Sequence, residues 1–128
     1  MTPIELKLDA VSVHIRDVER ARHFYGQILG LRELQRLPAG LVYALPGSAT
    51  VLSAHIMQPN EVGRPPGTVT GVVFGVADAR AALEAIRAAG GTITDEAVDV
   101  TNPSGSYVRG TIADPDGNEF LVRQRVSP

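Results

Sequence analysis

His14 and His55 are the residues whose chemistry stands out first. Each sits near the far end of an apolar, strand-like run, Val11-Ser12-Val13-His14-Ile15 and Thr50–Met57. Strand alternation puts His14 on the face of Ser12, and His55 on the face of Val51 and Ser53. An imidazole changes charge near neutral pH and ligates metals. Such a pair can be polar pocket wall, a general base or part of a metal site. His23 falls on a helix beside Arg22 and is expected to be exposed.

A second group comes from the C-terminal half. Alternation gives Tyr107, Arg109 and Thr111 one face of a strand, and Glu119, Leu121 and Arg123 one face of the next. Arg109 offers a fork for a carboxylate, and Glu119 a candidate base. The two are equally readable as an ion pair across neighbouring strands. The expected pocket takes apolar wall from Leu41, Val51, Val73 and Leu121. It takes directional groups from Ser12, His14, Tyr43, Ser53, His55, Tyr107, Arg109 and Thr111. That mixture suits a medium-sized organic ligand.

The elements that must position these residues are repeated. Asp17-Val18-Glu19-Arg20-Ala21 opens a helical pattern that stops at Gly30, and Asp78-Ala79-Arg80-Ala81-Ala82 opens one that stops at Gly91. Asp17 and Asp78 lie 61 residues apart, as do Gly30 and Gly91. An apolar strand precedes each Asp, and self-similarity at fixed spacing signals repeated architecture. Each Asp is an expected N-cap and each Gly a helix stop. Strands are expected at 6–16, 31–37, 41–45 and 50–57, then at 69–76, 92–98, 107–113 and 119–125. Asp114-Pro115-Asp116-Gly117-Asn118 is a dense turn signal, read by itself as a hairpin turn without chemistry. The expected fold is α+β: two tandem βαβββ modules forming a curved-sheet cup with helices outside. One domain spans 1–128, with a first module at about 4–59, a Pro/Gly-rich linker at about 60–67 and a second module at about 68–126. On the open face of the strand at 69–76, Gly71 and Gly75 read either as room for a ligand or as sites of close backbone approach.

Bulk properties exclude several classes. The 128 residues carry a net charge of −2 and no basic run, which argues against a nucleic-acid partner. Cysteine is absent, so disulfides, thiolate metal sites and thiol catalysis are excluded. No apolar stretch is long enough to span a bilayer. Met1-Thr2-Pro3-Ile4-Glu5 lacks the basic start and apolar core of a leader, so the expected setting is cytoplasmic.

The order Asp17–Ala21, Phe24-Tyr25, Ile28-Leu29-Gly30-Leu31, then Asp78 through Gly90 and Asp114–Asn118, resembles the vicinal oxygen chelate superfamily, also called the glyoxalase/bleomycin resistance/dioxygenase group. The resemblance implies one divalent metal in the cup of its enzymes. It places ligands seven residues before each capping Asp, three residues after the Asn of the last turn, and on the fourth strand. Those positions here are Ala10, Gly71, Leu121 and either Val51 or Ser53. Ala, Gly and Leu have no ligating side chain. The chain therefore resembles a member that lacks the usual metal ligands, and no metal or other cofactor is expected.

The leading expectation is a metal-independent binding protein for a natural product or drug-like molecule, of the glyoxalase/bleomycin resistance type, acting by sequestration. One alternative is a metal-free isomerase, cyclase or lyase on an oxygenated small molecule, with His14 or Glu119 as base and Arg109 stabilising an enolate or carboxylate. Another is a metalloenzyme with relocated ligands His14, His55 and Glu119. The sequence leaves binding and catalysis both open. The resemblance also implies a homodimer, with the first strand or the helix from Asp17 as the contact surface.

Overall fold

The computed structural model describes residues 4–127 except Val62 and Arg64. Met1, Thr2 and Pro3 of the leader reading, and those two linker residues, lie outside the described residues.

Two four-stranded mixed sheets carry the chain. The first holds β1 (Ala10–Ile15), β2 (Glu33–Leu37), β3 (Gly40–Ala44) and β4 (Val51–Ile56) in the order β1-β4-β3-β2. The second holds β5 (Val69–Gly75), β6 (Thr92–Asn102), β7 (Gly105–Ala113) and β8 (Glu119–Ser127) in the order β5-β8-β7-β6. In each sheet the first strand pairs in parallel with the last, and the other neighbours are antiparallel. This is the tandem βαβββ arrangement expected from the repeat.

The helices start as the sequence dictates. Asp17 and Asp78 take extended backbone, and each carboxylate accepts the N–H three residues on, from Arg20 and Ala81. α2 (Ala79–Ala88) is regular and turns Ala79, Leu83 and Ile86 into the core. The first helix is not one α-helix. α1 (Val18–Arg22) passes into a π-helical segment, His23–Ile28, closed by a bond from the Leu29 N–H to the Phe24 carbonyl. Both members of the neighbouring pair Phe24 and Tyr25 are buried there.

One core serves both sheets. Val13, Ile15, Leu41, Tyr43, Leu52 and Ala54 of the first sheet, Ile112, Phe120 and Val122 of the second, and the inward faces of both helices form a single cluster. Tyr25 lies edge-on to Phe120, with ring centroids 6.1 Å apart. Each sheet thus gives one face to the shared interior and keeps the other open.

Two expectations are corrected. Residues 6–9 are not part of β1, and Leu6 and Leu8 are exposed. Gly71 and Gly75 are not sites of close approach, since a Cβ at either would meet nothing within 4 Å among the described residues. Gly71 instead takes φ +76° where the β5–β8 register shifts, a conformation open to glycine.

Candidate functional site

Strand register decides which candidates share a surface. On the first sheet Ala10 pairs with Val51, Ser12 with Ser53 and His14 with His55, and Ser53 in turn pairs with Val42. Paired residues project to one face, so Ser12, His14, Val51, Ser53 and His55 lie together on the open side. Leu41 and Tyr43, expected beside them, lie on the opposite side. They pair with Ala54 and Leu52 and are buried in the core. Every residue of Gly40-Leu41-Val42-Tyr43-Ala44 is apolar or small, so no polar face told the strand which way to turn. Among the described residues Tyr43 Oη has no hydrogen-bond partner, and burial pushes its phenol up to about 12.

On the second sheet Thr111 pairs with Leu121, Arg109 with Arg123 and Tyr107 with Arg125, while Leu121 also pairs with Val73. These form the open face, because Val108, Gly110 and Ile112 pack the other way. A Cβ at Gly110 would lie 2.4 Å from Leu83 Cδ1 of α2. Val69, Val73 and Val98 leave apolar surface exposed on the open face. Tyr107 is buried under two guanidinium groups, with Arg123 and Arg125 at 4.5 and 4.9 Å from its ring centre. Arg125 also donates to Tyr107 Oη at 2.8 Å. The Tyr107 phenol is held below its ordinary range, first by its bonds with Ser104 and then by the nearby arginines.

Arg109 and Glu119 do not pair. Arg109 stands opposite Arg123, whereas Glu119 stands opposite Ala113 and accepts from Thr94 Oγ1 at 3.2 Å. Along the strands that is four residues, about 13 Å. The catalytic set His14, Glu119 and Arg109 is not brought together. Among the described residues neither Arg109 nor Arg123 has a carboxylate partner. Two like charges directly opposite on a sheet repel, and with Arg125 they outnumber the carboxylates of the same face, Asp95 opposite Thr111 and Glu119, by three to two beside apolar surface.

His14 and His55 do converge, but on Glu61, a residue sequence reasoning missed. Glu61 Oε2 lies 3.1 Å from His14 Nε2 and 2.9 Å from His55 Nε2. The rings are edge to face, with centroids 4.8 Å apart. The Gln58 N–H holds the other carboxylate oxygen at 3.0 Å. These bonds, from His55 first and then Gln58 and His14, bring the Glu61 carboxyl down to about 2. Glycines make room for both residues: a Cβ at Gly63 would lie 2.9 Å from His14 Cε1, and one at Gly40 would lie 2.8 Å from His55 Cβ. Glu119, expected as the third member, does not join them. Glu61 follows the last strand of its module in a segment without periodicity, so only its carboxylate was visible in the sequence.

The metal position of the resembled family does not fit a metal here. Ala10 and Val51 face one another in register, Leu121 lies between Thr111 and Val73, and Gly71 is at the register shift. Ser53 is the one side chain of that set with a donor atom, and one hydroxyl does not make a chelate.

A crevice of about 460 Å³ lies between the two modules beside Ile28, Leu31, Val73, Phe74 and Ile86. The side chains that line it are all apolar, so any directional contact with a ligand there would come from main-chain groups.

The last turn is more than a hairpin connection. Asp114 Oδ1 accepts the Asp116 and Asn118 N–H groups, and Asp114 Oδ2 accepts from Tyr25 Oη (2.6 Å) and Asn118 Nδ2 (2.8 Å). Asn118 Nδ2 also donates to the His14 carbonyl, and Asn118 Oδ1 accepts from Gly67 and Thr68. Asp116 Oδ2 accepts the Arg16 N–H. The turn thereby clasps the first module. Burial, with the Asp114 carboxylate next, drives the Tyr25 phenol far above its ordinary range.

With this geometry described, the comparisons place the chain. A family model, the Glyoxalase/Bleomycin resistance protein/Dioxygenase superfamily, matches residues 7–122, and the chain belongs to that family. Among solved structures it is similar to TnmS3, an antibiotic binding protein from Streptomyces sp. CB03234, at 25% identity and TM-score 0.77, covering 97% of this chain and 99% of that one. It is similar to a glyoxalase/bleomycin resistance protein from the same organism at 27% identity and TM-score 0.70, covering 91% and 99%. It is similar to a superfamily member from Sphaerobacter thermophilus DSM 20745 at 25% identity and TM-score 0.76, covering 94% and 98%. No curated protein matches the chain. No described helix is long and apolar enough to cross a membrane.

Proposed function

We propose that this protein captures an organic small molecule of the natural-product or drug-like class and acts by sequestering it in the cytoplasm. The observation that carries the reading is the open face of the second sheet. Arg109 and Arg123 stand opposite each other, neither ion-paired to a carboxylate among the described residues, beside exposed Val69, Val73 and Val98. An anionic group on an apolar body would relieve the repulsion and cover the surface. The likeness to an antibiotic binding protein over nearly the whole chain supports the same class of ligand. Capture does not pass through the family's metal position.

A twofold homodimer belongs to this reading. The open faces turn away from the shared core, so a second copy is what could bring one first sheet opposite one second sheet. Ile4, Leu6 and Leu8, exposed ahead of β1, offer apolar surface for it to cover. Light scattering should give twice the chain mass, and a monomer at micromolar concentration refutes the dimer.

Titration calorimetry with planar aromatic carboxylic acids and their methyl esters tests the capture. In EDTA, the acids should bind in the micromolar range, near ~−8 kcal/mol. Arg109→Ala or Arg123→Ala should weaken the acid about tenfold and leave the ester unchanged, a loss of about 1.4 kcal/mol. Absence of binding below about 1 mM for acids and esters alike overturns the reading.

A further inference from the structure

We propose that His14, His55 and Glu61 form a binding site for a divalent transition-metal ion at the rim of the first sheet's open face. It is separate from the family's metal position and independent of the capture reading. Three chain segments supply the donors: β1, β4 and the turn after β4. One atom from each, two imidazole nitrogens and a carboxylate oxygen, lie within 4.8 Å of one another. Around a tetrahedral Zn²⁺, bonds of about 2.0–2.2 Å set neighbouring donors ~3.4 Å apart. The two contacts to Glu61, 3.1 and 2.9 Å, are already close to that edge. The three donor atoms lie within 4.8 Å, so closing on one ion requires the imidazoles to turn toward each other.

The surroundings suit a metal as well as the donors do. The Gln58 N–H fixes Glu61 through the oxygen that faces away from the imidazoles, the kind of outer contact that orients a ligating carboxylate. A cavity of about 240 Å³, bounded by Ser12, Thr68 and the three donors, leaves space for a water or a ligand oxygen in an open position. Two imidazoles with one carboxylate favour Zn²⁺, Co²⁺, Ni²⁺ or Fe²⁺ over Mg²⁺ or Ca²⁺, which prefer oxygen alone. The family's ligand position on β1 is Ala10, four residues and about 13 Å away along the strand. The ion would therefore sit at the rim of the first sheet's open face, away from the family's position.

Co²⁺ is the probe. Chelator-stripped, dialysed full-length protein is titrated with Co²⁺, reading visible d–d absorption, and then with Zn²⁺ in competition. The expected result is one Co²⁺ per chain, displaced by Zn²⁺, with affinity lowered at least ~100-fold in His55→Ala and in Glu61→Gln. Exposed His23 serves as the control, and His23→Ala should bind as the parent does. Glu61 is partly exposed after β4, so Glu61→Gln should keep the parent's circular dichroism. In NMR of the parent, Zn²⁺ should move the imidazole resonances of His14 and His55 and leave those of His23 in place. No Co²⁺ binding up to about millimolar, or parent-like affinity in folded Glu61→Gln, overturns the site. So does a Zn²⁺ response at His23 alone. Ligand capture in EDTA is measured separately, so either proposal can fail while the other stands.

Discussion

Two turns occupy the same place in the two modules and behave differently. Between β3 and β4, Pro46–Ala49 is exposed, and the bonds around it stay within the first module. The Ser48 N–H bonds to the Leu45 carbonyl, the Thr50 N–H to Ser48 Oγ, and Thr50 Oγ1 to the Leu8 carbonyl. Between β7 and β8, Asp114, Asp116 and Asn118 are buried and bond to β1, to the first helix and to the segment before β5. Equivalent positions in a repeat therefore need not share a task. The first module's turn closes a hairpin, and the second module's turn joins the two halves.

The largest test of that contrast is Asn118→Ala. It leaves the buried His14 carbonyl and the Gly67 and Thr68 N–H groups without their partner, and should cost about 3 kcal/mol in urea unfolding. A loss below about 1 kcal/mol would mean that the clasp does not hold the modules.

Next comes alkaline pH, which separates the two core tyrosines, Tyr25 at the clasp and Tyr43 of β3, from the one on the open face. Tyr25 and Tyr43 have phenols raised in the folded state, whereas Tyr107 is lowered. A raised phenol contributes stability that is complete below the ordinary value of 10.0. It is lost as pH rises from there through about 12, where Tyr43 ionises. Stability should therefore fall above pH 10.0, and in ultraviolet titration one tyrosine should ionise well before the other two. Simultaneous ionisation of all three in the folded protein would contradict the assignment.

Where the two turns share backbone geometry, they should respond alike. Gly47 and Gly117 have φ +74° and +84°, and Ala at either should cost about 1 kcal/mol. A difference between them above about 1 kcal/mol would show that the clasp, not φ alone, sets the cost at Gly117. The smallest effect is Ser48→Ala, about 0.5 kcal/mol, since its bond is local and exposed.

The repeat, the Asp caps and the strand alternation were legible because each depends on residues close in sequence. Tyr107, Arg109 and Thr111 fell on the open face because Val108, Gly110 and Ile112 offered an unmistakable core face. Leu41 and Tyr43 went the wrong way because β3 is apolar on both sides, and period 2 does not tell one face from the other. Glu61 was invisible because its role comes from the parallel pairing of β1 with β4, which aligns His14 with His55 at a separation no local pattern records. The Asp114–Asn118 turn was identified, but local turn chemistry says nothing of bonds that cross about a hundred residues. The π-helical segment broke no rule of composition and left no mark beyond two adjacent aromatics.

The Asn118 side chain spends three of its four hydrogen bonds on main-chain atoms, those of His14, Gly67 and Thr68. A main-chain contact is the same whatever side chain is attached. The grip between the halves is therefore blind to what the rim displays. Side chains at position 14 and across the open faces are free to be exchanged, in nature or by an engineer seeking a new ligand, without renegotiating how the two halves meet.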